Sequence, residues 1–208
     1  MSDSFLAQSA SLRRDFFEKQ NSLLTKLVAS GQSPRALFVG CSDSRVVPEK
    51  LFDAQPGDFF MLRNIANIIP PYIQTEIGIV SVLEFAILHL QVPHIIICGH
   101  TDCGGIYGLD ERLNLGKEPA LVRWLDLARP AQRDVDFRMS NLDPKTRHLA
   151  IVEQNVINQM RNVASYPFVR AAQGADELTI HGWVYHLAER QISYYDPDIN
   201  QFVFEQLT

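Results

Sequence analysis

The chain has 208 residues, a formal net charge of −5 and 46% hydrophobic residues, which is the balance of an ordinary folded domain able to form a core without disulfides. The mildly acidic charge excludes a dedicated nucleic-acid binder, which needs a basic surface for phosphates. Its three cysteines, Cys41, Cys98 and Cys103, are an odd set that cannot close into a disulfide framework and that suits a reducing compartment.

The N-terminus, MSDSFLAQSASLRRDFFEKQ, has no basic segment followed by an apolar run. The most apolar stretch, residues 78–90, is interrupted by Glu84 and His89 and is too short and too polar to span a bilayer. The expectation is a cytoplasmic protein with neither membrane nor nucleic acid among its partners. Residues 4–29 read as an amphipathic helix or helix pair. Phe5, Leu6, Leu12, Phe16, Phe17, Leu23, Leu24, Leu27 and Val28 recur at helical spacing, and Gly31 is a natural stop. That apolar face packs either on the chain's own core or, as an arm, on a partner subunit.

Residues 36–40, ALFVG, form an unbroken apolar run and read as a buried parallel strand. A second strand is expected over 58–63, a helix over 75–90 with Thr75 as N-cap, and a third strand over 94–100, HIIICGH. Cys103-Gly104-Gly105 opens a short helix. Residues 110–143 read as a helix plus surface loop around Trp124, with no evident role. Leu149, Val152, Val156, Ile157, Met160 and Val163 line one face of a long helix over 144–165, and residues 178–187 and 191–196 close the chain as a strand pair. Strands alternating with helices predict an α/β fold: a central, mostly parallel sheet flanked by helices, with an N-terminal helical arm over 1–30 and a single domain over 31–208.

Sites in open α/β sheets gather outside the carboxyl ends of strands. Two chemical clusters sit at such ends: Cys41-Ser42-Asp43-Ser44-Arg45 and His100-Thr101-Asp102-Cys103. A single buried cysteine or histidine is more often a packed side chain than a ligand, and Cys98, inside IIIC, fits that description. The joint pattern differs, because Cys41, His100 and Cys103 together supply the two sulfurs and one nitrogen that zinc prefers. Asp43 is placed either to close the fourth position or to accept a hydrogen bond from a water there. Arg45 can clamp that carboxylate and hold it off the metal.

These motifs resemble the β-class carbonic anhydrases. CSDSR, then RNIAN at 63–67, then GHTDCGG match the family, and the likeness resumes at LTIHGWVY. The resemblance implies a zinc enzyme that interconverts carbon dioxide and water with bicarbonate and a proton. It also implies a homodimer or dimer of dimers, with N-terminal helices wrapped on the partner. Carried onto this chain, Cys41, His100 and Cys103 match the zinc ligands, Asp43 and Arg45 the carboxylate–arginine dyad, and Gly104 the glycine after the second cysteine. Gln32, in Gly31-Gln32-Ser33-Pro34, matches the substrate-orienting amide of the plant-like subtype, which reaches across the dimer interface. Phe60, Ile65 and Phe85 match the apolar wall of the carbon dioxide pocket, although the family often has Tyr at the position of Phe85. The bicarbonate-regulated subtype uses a Trp, an Arg and a Tyr; Arg63 and Tyr185 match two of them, but Phe38 stands at the Trp position. The resemblance therefore favours the plant-like subtype, with zinc open and Asp43 off the metal.

Two alternatives share the motifs: hydrolysis of carbonyl sulfide or carbon disulfide on the same scaffold, and a non-catalytic zinc-stabilised binding module. A thiol redox protein is disfavoured because Cys41 and Cys103 do not form a C-x-x-C pair. None of His89, His94, His181 and His186 is marked out as a proton shuttle. His181 and His186 fall on opposite faces of their strand by alternation.

Overall fold

A computed structural model describes residues 9–74, 76–111, 113 and 115–204. Phe5, Leu6 and Thr75 lie outside the described residues, as does the side chain of Leu12. Helix α1 spans Ala10–Ser30 and stops at Gly31, whose φ of 79° and ψ of 176° end the helix where a side chain would be strained. Its Gln20 bonds to Gln55 at 3.1 Å and Leu27 lies over Gly57, yet Phe16, Phe17 and Val28 stay exposed. In a single chain, then, α1 only leans on its own domain.

Among the described residues, six strands form one sheet: β1 (Ala36–Cys41), β2 (Phe59–Asn64), β3 (His94–His100), β4 (Thr179–His186), β5 (Gln191–Asp196) and β6 (Gln201–Phe204), in spatial order β2-β1-β3-β4-β5-β6. The first four in that order pair in parallel and the last two antiparallel. The sheet therefore has the expected mostly parallel centre. The closing strand pair gains a third member, β6, whose short QFVF run carries too little pattern to be read as a strand. Every residue of β1 is buried, which is why its sequence shows no polar alternation.

The two faces of the sheet differ. Leu37, Val39, Ile95, Ile97 and Val184 pack beneath helices, while Ala36, Phe38, Ile96 and Cys98 pack with Phe52, Phe59, Met61, Trp183 and Tyr185 on the other side. Phe38 sits in that aromatic group with ring centroids 6.1 Å from Phe52 and 6.0 Å from Phe59. Burying such a ring stabilises the fold by about 1.5–3 kcal/mol. A short helix α2 (Pro48–Leu51) follows β1.

The helix expected over 75–90 is α3 (Ile77–Glu84), whose end widens into a π turn over Phe85–His89, with the Leu90 amide bonded to Phe85 O. After β3 come α4 (Gly104–Tyr107), α5 (Pro119–Asp126) and α6 (Arg129–Arg138). The single helix expected within 110–143 is thus two, each begun by a proline in its first turn. The long helix α7 (Pro144–Ala164) packs on β3 and β4 through Val152, Val156 and Val163. Asp143 caps it by accepting from the Lys145 and Thr146 amides, both at 3.1 Å. Helix α8 (Pro167–Gly174) leads into β4. No helix among the described residues is long and apolar enough to cross a membrane.

Candidate metal centre

β1 and β3 lie side by side, and the chain turns to opposite sides of β1 to build β2 and β3. Their carboxyl ends therefore part at a switch point, where a crevice opens. Cys41 is the last residue of β1 and His100 the last of β3. Cys103 follows a tight turn in which Asp102 has a φ of 54°, and it precedes the first turn of α4. Ligand atoms of Cys41, His100 and Cys103 all lie within 4.8 Å of one another, and all three residues are buried. This is the only such group found among the described residues.

Its electrostatics suit a cation. The Cys41 and Cys103 sulfurs are 4.0 Å apart, hydrogen-bonded and not joined by a disulfide. Hydrogen bonding from Cys103, opposed by burial, draws the Cys41 thiol down. Hydrogen bonding with Cys41, together with burial, pushes Cys103 up. His100 is 1% exposed; its Nδ1 is 2.9 Å from Thr101 O, and its Nε2 has no hydrogen-bond partner. A ring fixed through Nδ1 presents the Nε2 lone pair, which is how an outer partner sets a metal-binding tautomer. A buried nitrogen without a partner beside a shared thiol proton is a costly arrangement unless a cation fills it. The residues present fit a metal ion.

Asp43 stands beside this group and is held by Arg45. Arg45 Nε donates to Oδ1 at 2.9 Å, Arg45 Nη2 to Oδ2 at 2.7 Å, and the Arg45 amide to Oδ1 at 2.9 Å. The guanidinium holds the Asp43 carboxyl well below the usual carboxylate range. Arg45 Nη2 also donates to Asp102 O at 2.9 Å, linking the two ligand loops. His100 Nε2 lies 3.9 Å from Asp43 Oδ2. On the other side Arg63 donates to the carbonyls of Cys41 at 2.9 Å and Asp43 at 2.8 Å.

A cavity of about 350 Å³ opens on the group, lined by Cys41, Asp43, Ile65 and Gly104 together with Gly105, Gly108, Glu111, Leu113, Leu121 and Leu125. Protein-family comparison matches residues 36–192 to the family described as carbonic anhydrase. The solved β-carbonic anhydrase CcaA superposes with a TM-score of 0.89 at 32% identity, covering 98% of this chain and 91% of that one. This chain belongs to the β-class carbonic anhydrases. A carbonic anhydrase of Pseudomonas aeruginosa is 37% identical over 191 residues, 92% of this chain and 86% of that protein. One of Synechocystis sp. is 34% identical over 195 residues, 93% and 71% respectively. Tetrameric β-carbonic anhydrases of Sordaria macrospora superpose with a TM-score of 0.81 at 31% identity, covering 92% and 95%.

Against the family pattern, the single chain gathers Cys41, Asp43, Arg45, Ile65, His100, Cys103 and Gly104 at one place. Phe60 and Phe85 stack on each other, centroids 5.7 Å apart, but do not line this cavity. Gln32 is exposed between α1 and β1 and is not brought to the site by its own chain. Cys98 is 1% exposed, and burial pushes its thiol up to about 12, the state of an inert core residue. His181 pairs with His94 at 3.2 Å and His186 with Ser193 at 2.9 Å, both outside the cavity. Leu113, Leu121 and Leu125 were not foreseen as wall residues. The spacing of Leu121, Trp124 and Leu125 behind Pro119 was the available signal for α5, but nothing local says what its face covers.

Proposed function

We propose that this chain catalyses the reversible hydration of carbon dioxide to bicarbonate and a proton, using one zinc ion per subunit held by Cys41, His100 and Cys103. The observation that carries this reading is a buried donor set of two sulfurs and one nitrogen beside a carboxylate whose two oxygens are both held by Arg45. Thiolates and imidazole are zinc's preferred ligands. At a Zn–S length of about 2.3 Å, tetrahedral sulfurs stand about 3.8 Å apart, close to the 4.0 Å between Cys41 and Cys103. When bound, zinc acidifies water into a nucleophile near neutral pH.

The chain's own residues supply the rest. Asp43, kept ionised by Arg45, accepts a hydrogen bond from the attacking water and so aims its lone pair. Arg45 also keeps the carboxylate from turning onto the metal. Carbon dioxide is neutral and linear, so the apolar wall of Ile65, Leu113, Leu121 and Leu125 admits it without a charged contact. Negative charge grows on its oxygen during attack, and a preorganised donor there lowers the barrier. Gln32 is that donor in our reading, contributed to the site of a second subunit, with the Phe60–Phe85 pair adding apolar wall from the same interface. The exposed Phe16, Phe17 and Val28 of α1 support an N-terminal arm seated on that partner in a homodimer or dimer of dimers.

The commitment of Arg45 to Asp43, and of Arg63 to two backbone carbonyls, supports the plant-like open subtype. So does the burial of Phe38 where the regulated subtype has Trp. Three unbonded thiols suit a reducing, cytoplasmic setting. The test is metal analysis with stopped-flow carbon dioxide hydration from about pH 6 to about pH 9. Activity rising smoothly with pH supports the open site; a bicarbonate-sensitive collapse on the acid side of about pH 8 favours the regulated one.

A further inference from the structure

Behind Cys41 lies a turn in a costly conformation. Ala66 has φ 61° and ψ 28°, in the left-handed region that an alanine avoids, and Asn67, of a residue type that tolerates it, follows with φ 47°. Such a turn persists only where its surroundings over-determine it. Asn64 spans it, with its side chain donating to Ile68 O at 2.9 Å and accepting from the Ile68 amide at 2.8 Å. Asn155 of α7 donates to Ala66 O at 3.0 Å and is itself held by Gln159 at 2.8 Å. The remaining carbonyl at the start of the turn, Ile65 O, accepts from the indole Nε1 of Trp124 at 2.9 Å.

The turn touches both ligand loops. On one side it follows Asn64, which pairs with Cys41 across the sheet and whose carbonyl accepts from the Ser42 amide at 2.8 Å. On the other side a Cβ on Gly105 would come within 2.8 Å of Ile65 Cγ2 and 3.0 Å of Ala66 Cβ, so only glycine lets the loop after Cys103 approach so closely. Ile65 then lines the cavity alongside Leu121 and Leu125, which flank Trp124 on α5. One short helix thus supplies two apolar wall residues and, between them, one donor.

We propose that Trp124 is a positioning residue of this site: its indole N–H holds the Ile65–Ala66 peptide in the left-handed turn, which seats the turn between the end of β1 at Cys41 and the Gly105 backbone and sets Ile65 in the cavity wall. Its effect on turnover rests on the carbon dioxide hydration reading; its effect on metal retention does not.

The test compares Trp124→Phe, which keeps a ring but loses the donor, with Trp124→His, which keeps a ring N–H, in the full-length zinc-loaded protein. Loss of a ligand's direct hydrogen-bond partner costs about tenfold or more; Trp124 acts one step further out, so in Trp124→Phe zinc release to a chelator quickens severalfold, up to about tenfold. The KM for carbon dioxide rises severalfold while kcat stays within about twofold, because the ligands and Asp43 remain in place. Trp124→His recovers most of both changes. Phe and His variants that match each other, or a Phe variant that matches the parent, overturn the proposal. A readout independent of how the variants fold is the Trp124 indole proton in the parent protein, with Trp183 as internal reference. Slow exchange and a resonance that moves on zinc removal support the pin; fast exchange and no response overturn it. A parent protein that passes the release and resonance tests but does not hydrate carbon dioxide would retire the reaction and leave the pin standing.

Discussion

Arg45 grips Asp43 through three hydrogen bonds, two from its guanidinium and one from its amide, while His100 Nε2 waits 3.9 Å away with no partner. The arrangement separates two carboxylate fates that the sequence left open. Arg45 holds both carboxylate oxygens, which supports the proposed role of Asp43 as an acceptor beside the metal position over that of a fourth ligand.

Arg45→Ala is therefore expected to release Asp43 and lower kcat/KM by about tenfold to a hundredfold, with one zinc still bound per subunit. Asp43→Ala removes the acceptor itself and abolishes most activity. Zinc analysis with stopped-flow assay checks both; an Arg45→Ala protein with parental activity would contradict the role of the clamp. Since Arg45 holds Asp43 ionised far into acid, acidification down to about pH 5 should not switch this dyad off by protonating Asp43.

The thiols divide by reactivity. With zinc bound, iodoacetamide should modify none of Cys41, Cys98 and Cys103 quickly. After chelation, Cys41 reacts before Cys98, because hydrogen bonding with Cys103 draws the Cys41 thiol down while burial raises Cys98 to about 12 and leaves it unmodified. Mass spectrometry of labelled peptides reads this directly, and rapid labelling of Cys98 before Cys41 would contradict the assignment.

Gln32→Ala is expected to reduce turnover by about tenfold to a hundredfold while leaving zinc content and oligomeric state unchanged, as loss of one oxyanion donor should. Its exposure in the single chain makes the further expectation that activity falls when subunits are separated by dilution. Activity independent of protein concentration in a sample shown to be monomeric by sedimentation would contradict the shared site.

Glu153 of α7 sets a pH dependence of stability that is unrelated to catalysis. Burial raises its carboxyl from 4.5 to about 7, and it has no ion-pair partner among the described residues. The folded state then binds a proton that the unfolded state has already lost, so stability falls as pH rises from about 4.5 through about 7. Glu153→Gln removes this loss and should stabilise the protein at pH 8 by on the order of 2 kcal/mol, with little effect near pH 5. Denaturant titrations at the two pH values check it; equal gains at both would contradict the cause.

The parts of the fold legible in the sequence were those whose signal is local. β1 and β3 are unbroken apolar runs, α7 repeats its apolar face over many turns, and the ligand clusters follow strands directly. What stayed hidden depends on distant contacts. Trp124 meets Ile65 across 59 positions, and neither residue's neighbours announce the other. The short β6 is a strand because β5 lies beside it. Gln32 stands apart from the site in one chain, so the role proposed for it requires a second copy. The π turn that ends α3 carries Phe85 into its stack on Phe60, a contact that helical spacing does not predict.

The most direct test of the central claim is stopped-flow carbon dioxide hydration measured against zinc content in the purified protein. The rate should be proportional to bound zinc, which approaches one ion per subunit, and should vanish on chelation and return on reloading. A fully zinc-loaded protein that hydrates carbon dioxide no faster than buffer would contradict that claim.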